Sequence, residues 1–504
     1  MVRKAFARHR LAPIVRVLVG CAAAFGLLLT AVPATSALAG SGDRHVDHHI
    51  LDQLARTQRV QVIVVARHNL DALEGDLHRA GVRHPVRVPI VHGLTAELTA
   101  SQIDHLAGAP NVERIIYDAP VRLSDTAIDP AALATAYPTV VDAVAQWGNA
   151  AAPLTGKGIG VAVIDSGIAS HPDFGSRIVL NKNFNPTVAD AGDAYGHGTA
   201  VAGIIAGNGT ASGGQFIGVA PEVNLINLRV NDGSGAAPTS TIMNAILWAV
   251  INRDTYNIRV MNLSLSASVQ ESYVTSPIDA AVEYAWLKGI VVVVAAGNSG
   301  PNSALYAPAN DPFVITVGAT DDHGTTSIAD DTLASFSSFG TTQNGFSKPE
   351  LVAPGRHIIT TLAPNSNFAL NYPSFVVGSG YIQLSGTSMA APMVSGVAAL
   401  YLECNPMVRP GQLKALLLAT ARPIAAAGTG AGYPSAALAI DHLGLVGNAN
   451  HGIDPNNFLK VMYLQANSLQ SLPSVSWDSV SWDSVSWDSV SWDSIAWNAV
   501  SWES

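Results

Sequence analysis

Largely apolar runs of five to eight residues punctuate the chain from position 158 onward: Ile159–Ile164, Val223–Val230, Val260–Leu265, Ile290–Ala296 and Phe313–Val317. Runs this short, bounded by Gly and polar residues and not alternating in polarity, read as strands buried on both faces. Helical stretches lie between or after them, at Thr199–Ala206, Ser240–Asn252, Ser276–Lys288 and Ser388–Leu402. Buried strands alternating with helices predict an α/β domain with a parallel sheet covered on both sides. This organisation ends around Asp441, and residues 441–475, with their Gly, Asn and Pro, read as a loose linker.

A different pattern precedes it. Val60–Val65 reads as a strand, and Leu70, Leu73, Leu77 and Ala80 fall at helical spacing. Strands over Val86–Val91 and Leu94–Leu98, a helix over Ser101–Ala107 and a strand over Val112–Tyr117 follow. The order βαββαβ predicts a small ferredoxin-like sheet with two helices on one face.

The first 39 residues carry five basic residues and no acid, then an uncharged run from Val17 to Val32 and the triplet Ala37-Leu38-Ala39. This is the layout of a secretory signal cleaved after Ala39. The apolar run is shorter than the ~20 residues a membrane span needs, and no later segment is long and apolar enough, so integral membrane association is not expected. Cys21 sits in a lipoprotein-like box, but the apolar run continues past it, which argues against lipidation. Without the leader, 22 Lys+Arg face 37 Asp+Glu, a balance of about −15 that does not favour nucleic acid or anionic membranes. Cys404 is the one cysteine outside the leader, so the exported chain has no intramolecular disulfide.

Three motifs carry chemistry. Val161-Ala162-Val163-Ile164-Asp165-Ser166-Gly167 is an apolar strand ending in a carboxylate, and in open α/β sheets reacting groups collect at that end. Gly196-His197-Gly198-Thr199 sets a histidine at the mouth of a small-residue helix, with glycines that admit close approach. Gly386-Thr387-Ser388-Met389-Ala390-Ala391-Pro392 sets a serine between a tight turn and the first turn of an apolar helix. Taken singly, the Asp reads as a turn or cap residue and the His as structural; together they form an Asp, His, Ser order.

That order, in these motifs, resembles the subtilisin-like serine proteases (subtilases, peptidase S8). The resemblance covers about 300 residues and implies a three-layer catalytic domain over 126–440, with Asp165 orienting His197 and His197 taking the proton of Ser388. It makes Asn298, in Ala295-Ala296-Gly297-Asn298-Ser299-Gly300, the side-chain donor of an oxyanion hole beside the Ser388 N–H. It implies substrate binding along Ser264, Leu265 and Ser266 by strand addition, with Ala296 and Gly297 on the facing loop. Ser266 and Ala267 stand where many relatives carry glycine, and no acidic cluster follows the strand, so a broad or apolar P1 preference is expected over a basic one. His171-Pro172-Asp173 matches a motif whose Asp can bind structural calcium. The loop Asn208–Gly214 carries no carboxylate, so Asp173 stands equally as a candidate calcium ligand and as a capped turn. No catalytic cofactor is implied.

By the same resemblance, residues 40–125 form an inhibitor I9-like propeptide, a folding template and intramolecular inhibitor whose end lies in the active site, with self-cleavage within residues 122–140. The implied protein is a secreted, extracellular, autoprocessing serine endopeptidase acting on proteins or peptides. Sedolisins, which replace the histidine base, are disfavoured by His197.

The resemblance does not reach residues 476–504. There Trp477, Trp482, Trp487, Trp492, Trp497 and Trp502 recur every five residues in a Ser-Trp-Asp-Ser-Val repeat. A period of five gives neither a helix face nor a strand face, and some thirty residues fall short of a stacked solenoid, which needs at least about three units. The segment reads either as a disordered appendage or as exposed rings that bind glycan, cell wall or a partner. A rival function follows from the latter: a surface-binding protein whose protease fold only releases its own propeptide.

Overall fold

The computed structural model describes residues 46–123, 136–147, 153–303, 306–442 and 447–467. The basic leader, the stretch after Leu123 where self-cleavage is expected and the tryptophan repeats lie outside these residues. Among the described residues no helix is long and apolar enough to cross a membrane.

Residues 156–442 build around an eight-stranded sheet. Its spatial order runs Thr332–Leu333, Ile315–Asp321, Val291–Ala295, Ile258–Leu263, Gly160–Asp165, Asn224–Arg229, Ile178–Asn183, with Leu351–Pro354 also paired to Ile315–Asp321. All pairings are parallel except that of the short strand Thr332–Leu333. The strands Gly160–Asp165, Val291–Ala295 and Ile315–Asp321 are buried at every position, which is why the first two are nearly continuous apolar runs. Helices His197–Ala206 and Thr387–Cys404 pack together as one layer, and Thr239–Ile251 and Pro277–Leu287 as the other. This is an α/β three-layer fold.

Two adjustments to the expected elements matter for the site. The strand expected over Val260–Leu265 is broken at Ser264 into Ile258–Leu263 and Leu265–Ala267, the second of which joins a separate sheet. The stretch expected as a loose linker contains the helix Asn457–Ala466, packed on Pro277–Leu287. Its cap explains the docking: the Asn456 side chain donates to the carbonyls of Tyr273 and Ser276, and its N–H donates to Glu283.

Residues 46–123 form the expected βαββαβ unit, with sheet order Val86–Val88, Gly93–Leu98, Val60–Ala66, Val112–Tyr117. A short helix, His48–Leu54, precedes it and is capped by Asp47. One face of its sheet closes on its own helices, burying Val62, Val64, Leu73, Leu77, Leu98, Ile103 and Ile115, while the other face joins the larger domain. Ile63, Val65, Val88, Ile90, Val91 and Ile116 belong to the same buried cluster as the catalytic-domain core, and Pro89–Val91 rests on helices Thr239–Ile251 and Pro277–Leu287.

A polar contact locks the junction. Asp118 is buried at the start of helix Thr239–Ile251, where its carboxylate accepts the N–H of Ser240 (3.1 Å) and the hydroxyl of Ser240 (2.8 Å). The neighbouring carbonyl of Ala119 accepts the Thr239 hydroxyl at 2.7 Å. Burial raises the Asp118 carboxyl to about 6 against the pull of these donors. A carboxyl raised by docking favours the docked state most below its free value, and that increment disappears as the pH climbs through about 6.

Asp118→Ala, in a Ser388→Ala full chain, is expected to cost about 1–3 kcal/mol by leaving the Ser240 donors unserved. Asp118→Asn, which mimics the protonated carboxyl, is expected to show less pH dependence between 4 and 7 than the parent. Thermal melting across that range checks both.

Candidate active site

Strand Gly160–Asp165 delivers a carboxylate to the carboxyl edge of the sheet, and helix His197–Ala206 begins opposite it. Asp165 accepts the Nδ1–H of His197 at 2.8 and 3.0 Å and the N–H of Ser166 at 2.7 Å. Both side chains are only 1% exposed. The approach depends on Gly198, where a Cβ would lie 2.2 Å from the carbonyl oxygen of Gly167 and 3.0 Å from Asp165 Cβ. The other imidazole nitrogen, Nε2, is buried with no hydrogen-bond partner.

A second carboxylate stitches this pair in place. Asp193 accepts the Ser166 hydroxyl (2.7 Å), the Gly196 N–H (2.7 Å), and the Thr199 N–H (2.8 Å) and hydroxyl (2.6 Å). Ser166 Oγ accepts the Gly198 N–H at 2.8 Å. Burial holds the Asp193 carboxyl above the usual range, partly offset by these four donors. Asp193 therefore binds the residue after Asp165 to the two turns that carry His197.

Ser388 sits in the first turn of helix Thr387–Cys404, fully buried. Pro392, four residues on, has no N–H and so cannot serve the Ser388 carbonyl in the usual helical bond. Ser264 serves it instead, its hydroxyl donating to Ser388 O at 3.1 Å. Ser264 Oγ in turn accepts from Asn262 Nδ2 at 3.0 Å, and Asn262 Oδ1 accepts the Ser395 hydroxyl at 2.8 Å. Ser388 Oγ lies 3.5 Å from the carbonyl oxygen of Ser264.

Strand Val291–Ala295 ends in a loop with Gly297 at φ +100°, a left-handed conformation suited to glycine. Asn298 Oδ1 accepts the Thr387 N–H (2.9 Å) and hydroxyl (3.0 Å), and Thr387 Oγ1 accepts the Gly297 N–H at 3.1 Å. Locking the oxygen end leaves Nδ2 as the donor end of the amide, one residue from Ser388. Ala296 is buried and ties the loop to the sheet through its N–H to Val317 O at 2.9 Å.

Leu265–Ala267 forms one wall of a three-stranded antiparallel sheet. Its centre is Pro120–Leu123, at the end of the N-terminal unit, and its other wall is Ala236–Pro238. The register pairs Leu265 with Leu123, Ser266 with Arg122 and Ala267 with Val121, while Ala237 faces Val121 from the far side. A backbone segment of this chain thus fills a seat for an extended peptide.

The structure brings Asp165 to His197, and ties Ser264, Gly297 and Asn298 into the hydrogen-bonded surroundings of Ser388. Leu265 and Ser266 lie on the strand paired with Pro120–Leu123. Asp173 is fully buried among hydrogen-bond donors. Its Oδ1 accepts the Ala211 N–H and its Oδ2 the Tyr381 hydroxyl, both at 2.8 Å. The loop thus meets it with an N–H donor, and His171 completes the turn, its Nδ1 accepting the Asp173 N–H at 3.2 Å and its Nε2 donating to Gly380 O at 2.9 Å. Both carboxylate oxygens thus take protein donors, the arrangement of a capped turn.

Sequence reading missed Asp193, Asn262, Ser395 and the wall Ala236–Pro238. The first three are buried polar residues next to recognised motifs, and that adjacency was the available signal. Ala236-Ala237-Pro238 carries no strand propensity and takes its shape from its neighbour.

The chain belongs to the subtilase family, whose model matches residues 156–444. It is 44% identical over 270 residues to "Serine protease AprX" of Bacillus subtilis, an alignment covering 52% of this chain and 61% of that protein. It is 34% identical over 345 residues to "Alkaline serine exoprotease A" of Vibrio alginolyticus, covering 66% and 55% respectively. The chain therefore spans less than two thirds of the length of these relatives. The crystal structure of fervidolysin from Fervidobacterium pennivorans shares the fold, with a TM-score of 0.60 and 23% identity over 77% of this chain and 61% of that one.

Gly198→Ala is expected to separate Asp165 from His197, because its methyl would meet backbone. Proton NMR checks this: the low-field imidazole signal of the Nδ1–H bond should weaken or vanish while the fold remains.

Proposed function

We propose that the chain is a secreted serine endopeptidase that frees itself from its N-terminal unit by self-cleavage. The observation that carries this reading is the strand Pro120–Leu123, held antiparallel between Leu265–Ala267 and Ala236–Pro238. It is bound as a peptide substrate would be, through main-chain hydrogen bonds, and it runs toward Ser388.

The groups around that seat suit acyl transfer. Ser388 Oγ attacks the scissile carbonyl while His197 Nε2, the unpartnered nitrogen, takes its proton. Asp165 fixes the tautomer through Nδ1 and stabilises the imidazolium that forms. The Asn298 amide and the Ser388 N–H receive the negative oxygen of the tetrahedral intermediate. The leaving amine collects the proton from His197, and water then repeats the sequence on the acyl-enzyme. No step calls for a metal or organic cofactor.

The ladder also supports a particular bond. Leu123 pairs with Leu265, and the residue before Leu265 is Ser264, whose carbonyl lies 3.5 Å from Ser388 Oγ. We propose self-cleavage at Ser124–Asp125, which ends the propeptide at residue 124, one residue short of the 125 expected from sequence. A broad or apolar P1 preference and an extracellular site of action belong to this reading.

Exported wild type is expected to lose the 85 residues 40–124 beyond its leader and to digest casein. Ser388→Ala should keep them and be inert, as intact mass and N-terminal sequencing will show. Equal masses and no casein cleavage in either protein would refute the assignment. Asn298→Ala is expected to lower turnover about 10²–10³-fold with little change in KM, the magnitude known for the side-chain oxyanion donor of subtilisin. Steady-state kinetics on a peptide substrate checks it.

A further inference from the structure

Lys414, on helix Pro410–Ala419, has no useful contact with water, being 3% exposed. Its ammonium meets the carbonyl oxygens of Pro312 (2.7 Å), Val314 (2.8 Å) and Phe313 (3.4 Å), and the Glu350 carboxylate (2.8 Å). Consecutive backbone carbonyls joined by a carboxylate are a typical ligand set for hard metal cations. Four oxygens also exceed the three hydrogens that an ammonium can donate. The cage therefore holds the ammonium as a charge as well as a hydrogen-bond donor.

Glu350 is shared with a second buried ammonium, that of Lys348. Glu350 accepts from both Lys414 and Lys348 (2.6 Å) and is held below the usual carboxylate range by them, against the cost of its burial. Lys348 also donates to Thr316 Oγ1 and to the Asp311 carbonyl. Burial lifts the Asp311 carboxyl to about 6, so it is ionised at neutral pH. Burial, and after it the charge of Asp311, holds the nearby Asp279 and Glu283 well above the usual carboxylate range. Burial lowers Lys414 to about 8, which keeps it an ammonium at pH 7. Deleting Lys414 removes one of the two ammoniums that donate to Glu350 and takes the donor from the Pro312 and Val314 carbonyls, whereas the Phe313 carbonyl keeps Asn450 Nδ2 at 3.0 Å.

We propose that Lys414 supplies, as a covalently attached ammonium, the cation of an oxygen cage formed by Pro312, Phe313, Val314 and Glu350, and that truncating it exposes a site for a hard metal ion. The stability of this part of the fold then depends on a side chain in place of a dissolved ion.

The test compares Lys414→Ala, Lys414→Met and the parent, each as a Ser388→Ala full chain, by thermal melting in a chelexed buffer. Ionic strength is set with tetramethylammonium chloride, whose cation is too large for the cage. Lys414→Ala is expected to melt about 5–10 °C lower, the size of shift that follows from orphaning a buried charge in a domain of this size. CaCl2 or KCl should recover at least half of that loss without raising the parent equally. Lys414→Met, which fills the cage with an apolar chain, should be destabilised and not recover. A Lys414→Ala protein that gains no more from either salt than the parent, or a Lys414→Met protein as stable as the parent, overturns the proposal. Should Lys414→Ala misfold on expression, refolding only with added calcium or potassium supports the proposal, and failure in every salt overturns it.

Discussion

A parallel sheet buried on both faces has nowhere to put polar chemistry except its ends, and this constraint shapes the molecule. Along Gly160–Asp165, Ile258–Leu263 and Val291–Ala295 every interior position is apolar or fully bonded. Polar groups appear where these strands run out: Asp165, Ser264, and the Ala296–Asn298 loop. The helices that cover the sheet begin at the same edge, so His197 and Ser388 arrive there from their own first turns. The site is therefore assembled from main-chain endpoints that the hydrophobic core fixes in space.

Two devices hold these endpoints in register. One is Asp193, which collects four donors from the Asp165 loop and the His197 helix. The other follows from Pro392, whose missing N–H orphans the Ser388 carbonyl and hands it to Ser264. In each case a local defect, a buried carboxylate or an interrupted helix ladder, is satisfied only by a residue on another element. Local requirements are thereby converted into tertiary positioning.

The same distinction explains what the sequence made legible. The inner strands, their helices and the Asp165, His197 and Ser388 motifs were readable because burial on two faces and tight turns leave compositional marks. The edge strand Ile178–Asn183 was not, since its half-exposed sequence Ile-Val-Leu-Asn-Lys-Asn resembles a loop. Helix Asn457–Ala466 was hidden by the Gly, Asn and Pro around it, and its cap is completed by Tyr273, Ser276 and Glu283 nearly two hundred residues away. Asp173 was ambiguous because a carboxylate in sequence does not reveal whether the facing loop will bring donors or ligand oxygens. The cage around Lys414 gives no sequence signal, since carbonyl groups belong to every residue.

The N-terminal unit shares its buried cluster with the domain it covers, contributing Ile63, Ile90, Val91 and Ile116 to a common interior. If that unit leaves, the outward faces of helices Thr239–Ile251 and Pro277–Leu287 lose their apolar cover and meet water. The remaining molecule would then be a different thermodynamic object from the one that folded, with part of its original driving force gone. Its persistence would rest on the height of the barrier to unfolding rather than on the depth of its free-energy well.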